Sequence, residues 1–208
     1  TTTTLPTILF FLFASITLVA QQRIEQSEEL GQVHWYRDYD KALVVAAKED
    51  KDVLLLFQEV PGCSTCRNYG HNVLSHPLMV EAIESLFVPL AIFNNKEGKD
   101  KKILDQYGEP SRNNPVVRIA DEQGKDVVKR IGNDYSALTL CKRMIAALLK
   151  NKKEVPEYLT LLKQELDRLV SSNIKEKTFK MYCFWSGEKA LGALDGVLST
   201  QAGFSNHS

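Results

Sequence analysis

An excess of charge of either sign is missing from this 208-residue sequence: 26 Lys and Arg face 26 Asp and Glu, for a formal net charge of zero. No net field draws the chain to a polyanion, so no nucleic-acid partner is expected. Histidine and cysteine are scarce, four of each, and the cysteines are Cys63, Cys66, Cys141 and Cys183. Only the first two are close together, and neither a second CxxC nor a His pair completes a zinc framework. No metal and no cofactor is therefore expected. Internal repeats and low-complexity tracts are also lacking. The longest apolar run, residues 5–20 (LPTILFFLFASITLVA), falls short of the ~20 residues that span a bilayer.

That run has the character of a signal-peptide core, and residues 1–20 are assigned to one, with Ala20 as the small residue before Gln21. Leu18 is bulky for the small-residue rule, and a charged start is missing. An uncleaved membrane anchor is the alternative. Either way the remainder lies outside the cytoplasm, secreted or extracytoplasmic, where disulfides persist. The first residue is Thr rather than Met, and Gly203 to Ser208 carry no folding punctuation. The sequence therefore reads as a fragment of a longer chain.

Apolar residues make up 44% of the chain, enough for a real core. The length allows one domain of roughly 100–150 residues plus a piece of another. Residues 39–50 (YDKALVVAAKED) place Ala42, Val45 and Ala46 on one helical face, with Asp38 or Asp40 as candidate cap. Val53 to Phe57 (VLLLF) is a continuous apolar run, as expected for a strand buried on both sides. The cysteine pair follows at once. A helix is predicted from Cys66 to Leu74, a break at His76-Pro77, a second helix over 78–87, and a strand from Val88 to Phe93. Asn94 to Lys102 reads as a solvated loop before a short helix around Ile103-Leu104. A strand over 116–119, a turn at 121–125 and a returning segment from Val127 to Ile131 read as a hairpin, and 138–149 closes the unit as an amphipathic helix. This order implies an α/β fold, a mixed sheet covered by helices. Residues 155–172 carry Tyr158, Leu162, Leu166 and Leu169 at helical spacing, predicting a linking helix that packs on a neighbour.

A CxxC at a helix start is a chemical device. The first sulfur sits among unpaired N–H groups at the positive end of the helix dipole, which favours the thiolate. The second, one turn on, can attack a mixed disulfide formed by the first. Cys63 is then the nucleophile and Cys66 the resolving thiol. Half a zinc site or a static disulfide are the other uses of such a pair. Arg67 and His71 on the following helix would favour the thiolate and Glu59 would oppose it, unless all three are simply solvated. Cys141, among Leu138, Ile145 and Leu148, reads as a small apolar core residue.

Across residues 35–150 this pattern resembles the thioredoxin-like superfamily. Cys63 and Cys66 match its CxxC, and Pro115, ahead of the Val116 strand, matches its cis-proline facing the sulfurs, which implies a substrate-binding role. The strings VPGCSTCRNYGHNVLSHP and EPSRNNPVVRI resemble more narrowly a secreted group named for a VPG-x-x-T signature, in which the position of Cys63 can hold selenocysteine. Unlike thioredoxin itself, the chain has Ser64-Thr65 between the cysteines and Pro61-Gly62 before them.

The C-terminal stretch, residues 179–208, resembles the opening of A-type peptide methionine sulfoxide reductases through Cys183-Phe184-Trp185, Gly187-Glu188 and GVLST-x-x-GF, with Tyr182 where that family generally has Gly. The resemblance implies that Cys183 attacks the sulfoxide sulfur and that Phe184 and Trp185 bind the substrate's methyl group. An exposed thiolate that becomes a sulfenic acid suits that step. A buried strand with an inert cysteine is the alternative. The organisation expected is a thioredoxin-like mixed sheet flanked by helices (35–150), a helical linker (151–178) and a truncated second α/β domain (179–208). The function expected is an exported thiol oxidoreductase coupled to methionine sulfoxide reduction, acting on oxidised protein thiols or methionine sulfoxide with an external electron donor. A general disulfide reductase with an inactive appendage, or a non-catalytic binding module, are the rivals.

Overall fold

The computed structural model describes residues 26–171, 175–197 and 199–203. The apolar run 5–20, together with Leu198 and Phe204 of the C-terminal motif, lies outside the described residues.

Helix α1 (Tyr39–Glu49) starts where Asp38 accepts a hydrogen bond from the Lys41 N–H, and ends where Asp50 turns left-handed at φ 51°. Strand β1 (Asp52–Gln58) follows and is buried along its whole length. After it come α2 (Ser64–Asn72) and α3 (Pro77–Leu86), the latter opening with Pro77, whose missing N–H costs nothing in a first helical turn. Strand β2 (Phe87–Phe93), α4 (Lys99–Gln106), β3 (Val116–Ala120), α5 (Ala137–Lys150) and α6 (Glu157–Val170) complete the body.

The sheet order is β2-β1-β3, with β1 parallel to β2 and antiparallel to β3. Pro89 is tolerated because β2 lies at the edge of this sheet, covered only by a bridge from Tyr36, whose N–H donates to the Pro89 carbonyl. The side-chain alternation of β1 divides the core in two. Leu54 and Leu56 enter a large cluster with Tyr69 of α2, Met79 and Ile83 of α3, Met144 of α5 and Leu159 and Leu162 of α6. Val53, Leu55 and Phe57 enter a second cluster with Ala42 and Ala46 of α1 and Ile103 and Leu104 of α4. A strand with helices on both faces has no polar side, which is why VLLLF is continuously apolar.

One expectation changes and another gains detail. The returning segment 127–131 forms no regular strand. It bridges only at Ala120 to Asp126 and Val117 to Ile131, so five steps of one segment oppose three of the other. The extra length lets Arg130 donate from Nε and Nη2 to the buried Glu109 carboxylate, 2.8 Å each. The helix predicted over 155–172 packs on a neighbour as expected, and that neighbour is the domain itself: Leu159 and Leu162 complete the larger cluster and Cys141 of α5 donates to the Leu159 carbonyl. Beyond Ser171, α7 (Phe184–Gly192) is the one regular element among the described residues, and Phe179, Met181, Tyr182 and Trp185 are all exposed. A second α/β domain is therefore not shown. About thirty residues are too few to close a core of their own.

Candidate functional site

Strand β1 ends at Gln58, and the five residues Glu59 to Cys63 lead into α2. The Val60–Pro61 bond in this loop is cis. Four side-chain hydrogen bonds hold the loop. Asn95 accepts from the Val60 N–H and donates to the Pro61 carbonyl, both at 3.2 Å. Glu29 Oε1 accepts from the Gly62 N–H at 2.7 Å, and Arg67 Nη1 donates to the Gly62 carbonyl at 2.9 Å. The Gly62 peptide is thus clamped on both sides. Its residue must be glycine, since a Cβ there would lie 2.5 Å from the Glu59 carbonyl oxygen and 2.7 Å from the Cys66 Cβ.

Glu29 comes from a 3-10 turn (Glu28–Leu30) that packs against α2. That packing needs Gly70, whose Cβ would fall 2.0 Å from the Glu28 carbonyl oxygen. Burial opposes charge on Glu29, but hydrogen bonds from the Ser27 hydroxyl and the Gly62 N–H, with Arg67 nearby, outweigh it and hold the carboxyl below its ordinary pKa. The carboxylate is therefore ionised beneath the loop. Gln58 Nε2 donates to the Glu29 carbonyl and lies 3.5 Å from that of Cys66, tying the end of β1 to both segments.

Cys63 is the N-cap of α2, extended at φ −72° and ψ 175°, and is exposed, whereas Cys66 is buried one turn inside. Their sulfurs lie 3.6 Å apart as free thiols. The Cys66 N–H faces the Cys63 sulfur without closing a regular cap. It is the largest influence lowering the Cys63 pKa, aided by the Cys66 thiol and by Thr65, while partial burial opposes them. Burial, followed by the neighbouring Cys63 thiol, pushes Cys66 up to about 11. Cys63 is thus the more exposed and the more acidic thiol of the two.

The resemblance placed a cis bond before Pro115, and the structure corrects it: Asn114–Pro115 is trans. Asn94 Nδ2 donates to the Asn113 carbonyl and the Asn114 N–H donates to Asn113 Oδ1, at 2.9 Å each, holding this segment as it enters β3. Trans is also the lower-energy form of an X–Pro bond. Pro115 is buried at the foot of β3, and it is Asn114 that meets the active pair, its Oδ1 3.6 Å from the Cys63 sulfur. Arg67 is committed to Gly62 and to Glu28, and His71 is exposed at the last turn of α2. Cys141 is fully buried and pushed up to about 11 by that burial, as a core thiol.

Cys183 belongs to a separate place in the chain. It is an exposed N-cap, that of α7, and accepts a hydrogen bond from Ser186 Oγ at 3.5 Å. The Ser186 N–H, then its hydroxyl, lower the pKa of this thiol. Trp185 is 71% exposed on the first turn of that helix, and Phe184 begins it.

Sequence reasoning missed Glu29, Asn95 and Asn114. Each lies more than thirty residues from Cys63, in a loop or a 3-10 turn without a recognisable motif. Only the tight Pro61-Gly62 sequence signals that the loop needs bracing.

Residues 34–130 match the family described as thioredoxin-like. The chain is similar to the solved structure of "DsbH Oxidoreductase", with 17% identity, a TM-score of 0.48, and coverage of 60% of this chain and 90% of that one. It is also similar to a thioredoxin from Thermus thermophilus, at 20% identity and TM-score 0.48, covering 57% of this chain and 88% of that one. A thioredoxin-fold protein from Helicobacter pylori aligns at 16% identity and TM-score 0.42, over 70% of this chain and 94% of that one. No curated protein matches the chain.

Proposed function

Starting from a thioredoxin-like domain over residues 34–130, we propose that the chain is a thiol–disulfide oxidoreductase with Cys63 as nucleophile and Cys66 as resolving thiol. The observation that carries this reading is the asymmetry of the pair: an exposed, acidified sulfur 3.6 Å from a buried one whose pKa is raised.

In the first step the Cys63 thiolate attacks one sulfur of a substrate disulfide, forming a mixed disulfide and releasing the other substrate sulfur as a thiolate that takes a proton from solvent. The helix N-terminus has then lost its thiolate, so the raising influence of Cys63 on Cys66 is gone. Cys66 gives up its proton and attacks the Cys63 sulfur, closing the Cys63–Cys66 disulfide and expelling the second substrate thiolate. Two electrons pass to the substrate and the pair is oxidised. An external dithiol donor returns it to the starting state. Asn114 lies against Cys63, its Oδ1 3.6 Å from the sulfur, and a substrate backbone approaching from that side would meet Asn114, with Pro115 next in the chain. Oxidised protein thiols are the proposed substrates.

The test is disulfide reduction by the full chain with an external dithiol regenerant. Cys63→Ser abolishes turnover in this scheme, whereas Cys66→Ser stalls as a mixed disulfide that mass spectrometry detects on Cys63. Full turnover in Cys63→Ser would refute it.

A second reading rests on Cys183. An exposed thiol acidified at a helix start, with Trp185 beside it, suits attack on a methionine sulfoxide sulfur. The sulfoxide oxygen leaves with the formation of a Cys183 sulfenic acid, and two thiols reduce that acid to the starting thiol and water. The Cys63–Cys66 dithiol would supply those electrons, in a protein exported by the 5–20 segment. Sulfoxide turnover lost in Cys183→Ser with any donor, and lost in Cys63→Ser plus Cys66→Ser only with a biological donor, is the expected pattern. Sulfoxide reduction that survives Cys183→Ser refutes this second reading.

A further inference from the structure

The loop that positions the cysteine pair brings a third donor to it. Glu59 offers a carboxylate oxygen that lies, with the sulfurs of Cys63 and Cys66, in a group whose ligand atoms are all within 4.8 Å of one another. The sequence spacing argued against a four-residue structural zinc framework. Three protein donors with one position open to solvent is a different class, that of zinc sites which keep a coordination position for water.

We propose that Glu59, Cys63 and Cys66 form a three-ligand site for a thiophilic divalent cation of the zinc type, occupied only when the pair is reduced. The geometry suits it. Two sulfurs each about 2.3 Å from a tetrahedral ion stand about 3.8 Å apart, and the free sulfurs are already 3.6 Å apart. The two sulfurs need little rearrangement, and the loop that joins them to Glu59 is held by Asn95, Glu29 and Arg67. Charge suits it as well. The Arg67 guanidinium is turned to the Gly62 carbonyl and to Glu28, away from the ligand atoms, while two thiolates and a carboxylate more than neutralise a divalent ion. The exposed side of Cys63 leaves room for a water as fourth ligand. A mixed thiolate and carboxylate set selects zinc over magnesium or calcium, which prefer oxygen alone.

Binding moves no electrons: two thiols release their protons to solvent as two metal–sulfur bonds form. While the ion is held, neither sulfur can attack a disulfide. Metal occupancy would therefore hold the pair reduced and silent, and oxidation to the Cys63–Cys66 disulfide would release the ion.

The experiment is a titration of the reduced, chelator-stripped full chain with Cd2+ as a spectroscopic zinc substitute, following thiolate-to-metal charge-transfer absorption, with Zn2+ as competitor. One equivalent should bind and be displaced by Zn2+. The band should vanish in Cys63→Ser and after oxidation, and persist in Cys183→Ser. Glu59→Gln, conservative at a half-buried position, should weaken binding by about tenfold or more. Absence of binding, a band that survives Cys63→Ser, or unchanged affinity in Glu59→Gln would each overturn the three-ligand site. Disulfide turnover is assayed with chelator present, so failure of the metal site and failure of the redox reading are separate results.

Discussion

Removing the charge of Glu29 tests the loop clamp most directly. The residue is 3% exposed, and its carboxylate accepts from the Gly62 N–H at 2.7 Å and from the Ser27 hydroxyl. Hydrogen bonds to a charged acceptor contribute about 1.5–3 kcal/mol each, against about 0.5–1.5 kcal/mol for neutral ones. Glu29→Gln keeps the shape and one acceptor oxygen, so its expected cost is roughly 1–2 kcal/mol. Glu29→Ala leaves the Gly62 N–H without that acceptor and opens a void, raising the cost to roughly 2–4 kcal/mol. Urea unfolding at pH 7 measures both. The sign of the pH dependence follows from the lowered pKa. The stabilisation from ionised Glu29 is fully present above its ordinary value of 4.5 and is lost as pH falls through the lower folded value. The gap between the native chain and Glu29→Gln should accordingly close on acidification. In Glu29→Ala the Cys63 thiolate should also attack a model disulfide more slowly, since Gly62 is then held only by Arg67, and Glu29→Gln, which keeps an acceptor of lower charge, should show a smaller slowing. A Glu29→Gln protein as stable as the native chain at pH 7, with equal exchange rates, would refute the clamp.

Three further outcomes are expected. Within the pair, iodoacetamide should label Cys63 first, with its reactivity rising at a pH below that of an ordinary thiol, and Cys66 should follow only toward its value of about 11, as mass mapping across a pH series would show. Gly62→Ala should cost about 1–3 kcal/mol in a denaturant titration and slow disulfide exchange, because its Cβ would fall 2.7 Å from the Cys66 Cβ. Glu109→Ala should cost about 2–3 kcal/mol in thermal or urea unfolding, since it strips the buried carboxylate from Arg118, which keeps Asp126, and from the more exposed Arg130. The Glu109 pKa is held low by those two arginines against the opposing effect of burial, so this loss should also shrink as pH falls through its folded value.

Most elements were legible because their signals are local. The β1 run VLLLF, the Asp38 cap and the His76-Pro77 break each act over a few residues, and each appears where expected. The Val127–Ile131 hairpin was overestimated because the regularity of a returning segment depends on distant partners that its own sequence does not show, as Arg130 meets Glu109. Asn114–Pro115 was misjudged by family resemblance for a similar reason: a matching string carries no information on the isomer of an X–Pro bond, and this one is trans.

The roles of the cysteines divide along the same line. That Cys63 would be the more exposed and more acidic thiol, with Cys66 one turn inside, followed from the sequence alone, because a helix start after a buried strand orients N–H groups toward its first residue whatever surrounds it. What lies around the pair was settled by tertiary structure: Glu29 beneath Gly62, Asn95 bracing Val60 and Pro61, Asn114 against Cys63, and Glu59 turned toward both sulfurs. None of these follows from a periodicity. They depend on where the 3-10 turn, the end of β2 and the start of β3 converge at one end of the sheet, and a carboxylate or amide in a loop carries no mark of the chain segment it will meet.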